Sequence, residues 1–219
     1  MRVPFRRRGG IPAQAIETRI YPQILGIGDS LIGGHPWCFT RLEAGTRPGP
    51  NITQLTARRF GWTWADQGIG SNTTSQMVSR FTTDVVNLKP QIVILNGGVN
   101  DVAGGGSQAT FTNNYTTMLN TCQSNGFKAI VLNILPWTNG TTAQLQTRDT
   151  WNAALVTLVG TYPGFISVDA SLYVGSFRAG GDANNLWNIA PAFAAGDGVH
   201  YSTTGYDLIA GVIARGLQG

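Results

Sequence analysis

The chain has little with which to build a metal centre. Its 219 residues include two histidines, His35 and His200, and two cysteines, Cys38 and Cys122. That count excludes a site of several histidines, and the cysteines stand too far apart for a metal-ligand spacing. The cysteines leave two readings open, buried free thiols or one disulfide. No regular acidic cluster points to a carboxylate site, so neither a metal nor an organic cofactor is expected.

Charge is scarce as well, at 12 % of residues. The formal net charge of +4 comes from the start of the chain, where Arg2, Arg6, Arg7 and Arg8 hold four of the fifteen basic residues. Without them, eleven basic residues face eleven acidic ones. A neutral body lacks the footprint of a nucleic-acid groove, so no nucleic-acid partner is expected. Residues 1–19 read as a solvated basic tail ahead of one domain over 20–219.

Long apolar runs are missing too. None reaches the roughly 18 residues of a spanning helix. After the basic start, residues 9–23 hold Gly, Pro, Gln, Glu, Thr and Arg in place of the apolar centre of a secretory signal, so no export signal is visible. Compartment and oligomeric state stay open. Internal repeats and low-complexity segments are also absent.

What is present is a 42 % hydrophobic chain that alternates strand-like and helix-like segments, long enough to bury a core between three layers. Apolar runs predict strands at Tyr21–Gly28, Trp62–Asp66, Gln91–Leu95, Ala129–Leu135 and Phe165–Val168. Between them lie helical stripes: a short one with Ile52, Leu55 and Phe60, then Met77, Phe81 and Val85 within 71–88, stopped by Pro90. Two more follow, with Phe111, Tyr115, Met118 and Cys122, and with Leu145, Trp151, Leu155 and Leu158. A last helix, capped by Ser202, turns Leu208, Ile209, Val212 and Ile213 inward. This order predicts an α/β fold with right-handed crossovers and a parallel sheet covered on both faces.

In such sheets the ligand crevice lies beyond the C-terminal ends of the strands. The first strand delivers Gly28-Asp29-Ser30 there, the third Asn96-Gly97-Gly98-Val99-Asn100-Asp101, and Asp197-Gly198-Val199-His200 stands before the last helix. A serine needs a base, an orienting group for that base and donors for the oxyanion. His200 supplies the base, Asp197 the orienting carboxylate and Asn100 an amide donor. His35 is the rival base, with Glu43 as its only nearby acid. A dinucleotide reading of Gly26-Ile27-Gly28 meets Leu31 where glycine or alanine is needed. A glycosidase would need two cleft carboxylates, and Asp29 and Asp101 are read instead as braces of their turns. Residues 170–196 lack periodicity and are read as one wall of the cleft.

Gly28-Asp29-Ser30, Gly97-x-x-Asn100-Asp101 and Asp197-x-x-His200, in that order, resemble the signature blocks of the SGNH (GDSL) hydrolase family. The resemblance covers nearly the whole chain. It implies a flavodoxin-like, five-stranded α/β/α sandwich of strand order 2-1-3-4-5 and a serine esterase working through an acyl-enzyme. Ser30, Asp197 and His200 would be catalytic. The oxyanion would lie between the N–H groups of Ser30 and Ser71 and the Asn100 side chain. Aligned on Ile69 and Thr73, the family's usual glycine falls on Ser71. The expected substrate is a short acyl ester of a carbohydrate or aryl alcohol, with Trp137 and Trp187 beside it. The alternatives are lipase, lysophospholipase or thioesterase action on longer chains, or a non-catalytic binding module on the same fold.

Overall fold

The computed structural model describes residues 21–34, 50–176 and 188–218. The expected basic tail, His35, Cys38, Glu43 and Trp187 lie outside these residues.

Five parallel strands form the sheet in the order β2-β1-β3-β4-β5. They are β1 (Ile24–Gly28), β2 (Trp64–Gly68), β3 (Ile92–Asn96), β4 (Lys128–Leu132) and β5 (Ile166–Val168). The interior strand β1, between β2 and β3, is buried along its whole length, as a strand covered on both faces must be. Helices α2 (Ile52–Arg58) and α8 (Thr203–Gln218) pack together on one face. On the other face α3 (Thr74–Asp84) packs on α5 (Gln108–Ser124), which packs on α6 (Thr142–Val159). One continuous apolar core fills both interlayer spaces, and Cys122 is a buried free thiol within it.

Several boundaries move for local reasons. Strand β2 starts at Trp64, two residues later than expected, because Trp62 stacks on Phe60 at 4.3 Å in the turn that ends α2. Helix α3 starts at Thr74, not Ser71, because Thr73 and Gln76 close a capping box around its first turn. Strand β4 ends at Leu132, although the apolar run continues to Leu135. There the Ile134 N–H donates to Asn152 Oδ1 at 2.8 Å, and its carbonyl accepts from Arg148 Nε at 2.9 Å, so α6 replaces the ladder. Residues 170–196, expected to be aperiodic, carry a turn of helix, α7 (Ser171–Val174), and a two-stranded ribbon of Gly175–Ser176 with Asn188–Ile189.

Register places the site. Gly28 pairs with Gly68 on one side and Asn96 on the other, so the chain leaves β1, β2 and β3 from a single row. A Cβ at Gly28 would run into the Asn96 carbonyl and Ile32, so only glycine permits that close row.

Candidate active site

Ser30 opens the four-residue helix α1 (Ser30–Gly33), two residues beyond the end of β1. Asp29 caps it, with Oδ1 accepting from the Leu31 N–H at 2.8 Å. That carboxyl is wholly buried. Burial pushes its pKa up to about 7, against the pull of the Leu31 N–H, and the nearby Asp101 carboxylate adds to the rise.

The loop before α8 brings His200 to Ser30 across 170 positions of sequence, with Nε2 2.8 Å from Ser30 Oγ. Its Nδ1 lies 2.6 Å from Asp197 Oδ2. Asp197 Oδ1 meanwhile accepts from the N–H groups of Val199 and His200 at 2.9 and 2.8 Å. Partial burial works to raise the Asp197 pKa. It is outweighed by those two N–H groups and by the imidazole, which hold the carboxyl well below the usual range. An ionised Asp197 places the imidazole proton on Nδ1, so Nε2 is the acceptor that faces the Ser30 hydroxyl.

The Asp197–His200 loop is held from outside. Asn139 Nδ2 donates to the Asp197 carbonyl at 2.6 Å, and the Thr138 N–H donates to the Gly198 carbonyl at 2.7 Å. The Tyr201 hydroxyl reaches the Pro136 carbonyl at 2.7 Å. Trp137, expected beside the substrate, is only 4 % exposed, and its indole packs under Gly140 and next to Leu145. The structure places that ring beneath the turn that clamps the histidine loop.

Ser71 and Asn100 lie beyond the same row of strand ends. Asn100, in α4 (Val99–Ala103), donates from Nδ2 to the Asn72 carbonyl at 3.0 Å and approaches Asp29 Oδ2 at 3.4 Å. Asp101 accepts from the Thr74 N–H at 2.9 Å and from the Thr74 hydroxyl at 2.6 Å, which ties α4 to the start of α3. Ser71 has φ +62°, a left-handed conformation that costs an L-residue about 1–2 kcal/mol. The serine therefore stands in backbone made for glycine. Its N–H donates to no other group among the described residues.

Sequence reasoning missed Asn72, Arg80 and Asn139. Only Arg80 left a trace, an i,i+4 spacing to Asp84 on a helix. Among the described residues, no group of three or more His, Cys, Asp or Glu is placed to hold a metal ion. No helix there is long and apolar enough to cross a membrane.

A parallel sheet of order 2-1-3-4-5 flanked by helices, with serine, histidine and aspartate linked at its C-terminal edge, is the GDSL/SGNH hydrolase fold. The chain belongs to the GDSL-like lipase/acylhydrolase family, whose profile matches residues 27–208. Among solved structures it is similar to a GDSL-like lipase from Bacteroides thetaiotaomicron VPI-5482, with TM-score 0.70 and 22 % identity over 89 % of this chain and 87 % of that one. It is also similar to the acetyl xylan esterase AlAXEase, with TM-score 0.65 and 18 % identity over 89 % and 98 % of the two chains. The uncharacterized lipoprotein YqeF of Bacillus subtilis (strain 168) is 29 % identical over 130 residues, 57 % of this chain. That match spans about half of the lipoprotein, 53 % of its length.

Proposed function

We propose that the protein hydrolyses carboxylic esters through an acyl-enzyme on Ser30. The observation that carries this reading is the unbroken relay from Ser30 Oγ to His200 Nε2, 2.8 Å, and from His200 Nδ1 to Asp197 Oδ2, 2.6 Å. His200 takes the serine proton as Oγ attacks the carbonyl carbon, and the C=O π electrons move onto oxygen. When the tetrahedral intermediate collapses, the C–O bond to the alcohol breaks and His200 returns the proton to that alcohol. A water molecule, deprotonated by the same imidazole, then releases the acid and restores Ser30. Asp197 stays ionised throughout and stabilises the imidazolium. The N–H groups of Ser30 and Ser71 and the Asn100 amide hold the oxyanion.

The substrate we favour is a short acyl ester of a carbohydrate or aryl alcohol. Support comes from the balanced charge of the chain after its basic start, eleven basic residues to eleven acidic, and from the likeness in fold to an acetyl xylan esterase. The reading of longer acyl chains draws on Leu172 and Tyr173, 76 % and 46 % exposed in α7 just past the end of β5. Two measurements test the proposal. An activated phosphonate should label Ser30 alone and should not label Ser30→Ala. Turnover of aryl esters from acetyl to palmitoyl should fall steeply with chain length, beside acetate release from acetylated polysaccharide. Labelling of another serine at full stoichiometry would overturn the nucleophile, and a preference for palmitoyl would overturn the substrate class.

A further inference from the structure

Arg80 directs its guanidinium back from α3 toward the strand ends that carry the site. Nη2 donates to the Gly28 carbonyl at 2.8 Å, Nη1 to the Gln67 carbonyl at 2.7 Å, and Nε to Asn72 Oδ1 at 2.9 Å. Asp84, fully buried one turn along the helix, accepts from Nη1 at 2.8 Å and balances the charge. The grip falls on both sides of the candidate site, because Gly28 lies two residues before Ser30 and Asn72 directly follows Ser71.

Asn72 is fixed at three points. Its N–H donates to the Ile69 carbonyl at 3.2 Å, its carbonyl accepts from Asn100, and its side chain accepts from Arg80. A strained backbone conformer persists only where its surroundings over-determine it, and Ser71 at φ +62° is such a conformer. We propose that Arg80 is a positioning residue that holds Ser71 in its left-handed turn, through Asn72 and the ends of β1 and β2, and so keeps the Ser71 N–H available to the oxyanion. Its part in turnover rests on the ester-hydrolase reading; its part in holding the turn does not. Lysine cannot replace it, since an ammonium lacks the planar fork that serves several acceptors at once.

The test compares Arg80→Met, Asn72→Ala and Ser71→Gly, singly and as pairs, by kcat and KM on an aryl acetate and by amide hydrogen exchange over residues 69–74. Arg80→Met should lower kcat by about tenfold to a hundredfold with KM within about threefold, since the loss lies in the transition state. Asn72→Ala should lower kcat in the same direction and add little to Arg80→Met. In the Ser71→Gly background the Arg80→Met loss should shrink by about threefold or more, because glycine carries no Cβ penalty at positive φ. A merely structural arginine would lower the melting temperature without that relief. Exchange over 69–74 should quicken by about tenfold or more in Arg80→Met, beyond any change elsewhere. Equal losses in the wild-type and Ser71→Gly backgrounds, or unchanged exchange, would overturn the proposal. If Arg80→Met does not fold, the same comparison with Asn72→Ala decides. If the wild type cleaves no ester, the ester reading fails, and exchange still decides the role of Arg80.

Discussion

Ser71 concentrates the conformational cost of the site in one residue. Relief of its left-handed strain by glycine is worth about 1 kcal/mol, and glycine's extra freedom in the unfolded chain takes back roughly half of that. Ser71→Gly should therefore raise the melting temperature by about 1–2 °C in a domain of this size, read by calorimetry. Ser71→Ala keeps the strain and the N–H, so it should gain no stability and lose less than about tenfold in kcat. Asn100→Ala deletes a side-chain donor and should lose on the order of 10²–10³-fold. Equal losses for the two alanine variants would show the Ser71 hydroxyl itself at work. His200→Ala should cost several powers of ten in kcat and Asp197→Asn somewhat less, in steady-state kinetics on the same aryl ester. At this scale the sequence was informative. A serine on a position where the resembled family has glycine pointed to a residue that proved to have positive φ.

At the scale of elements, the turn from Pro136 to Gly140 and the loop from Asp197 to His200 form a clamp. Asn139→Ala removes the 2.6 Å bond to the Asp197 carbonyl and should lower kcat about tenfold while leaving KM nearly unchanged. Gly198→Ala faces two costs, a φ of +79° and a new Cβ driven into the Asn139 side chain. It should lose more activity than Asn139→Ala, and adding Asn139→Ala to it should recover part of the loss, since only the collision is removed. A double-variant cycle in kcat measures this.

The clamp also marks where sequence reading stopped. Trp137 lies past the end of β4, yet whether its ring points to the cleft or into the core depends on Gly140 and Leu145, which reach it only in the fold. Strand β4 shows the same limit, because Asn152 and Arg148 take over its backbone groups from another helix. The strand order and the glycine at the end of β1 were legible because they follow from local patterns and family blocks. Asn72, Arg80 and Asn139 were not, since each acts through a carbonyl or amide whose neighbour is set by tertiary packing.

Over the whole molecule, the two acids beside Ser30 and His200 pull stability in opposite directions with pH. Asp29, raised to about 7, favours the folded chain while protonated; that contribution is full below about pH 4 and is lost as pH rises through 7. Asp197, held low, contributes above the ordinary carboxylate range and loses its contribution only as pH falls through its own depressed value. Asp29→Asn keeps an acceptor for the Leu31 N–H and removes the titration. The melting temperature of this variant relative to wild type should therefore climb from pH 4 to 7 and level off above 7. A constant difference across that range would show that Asp29 does not titrate there.

The 170-residue separation of Ser30 and His200 has a consequence in time. Ser30 is synthesised well before its partner His200. His200 is carried on the loop that leads into α8, and α8 finds its place against α2, near the start of the described chain. A ribosome-bound chain can build β1 to β4 and still lack the Ser30–His200 contact until the loop and α8 emerge and dock. On dilution from denaturant, helical circular dichroism should return before ester turnover. The lag between them clocks the docking of α8 and its leading loop against α2 and Ser30.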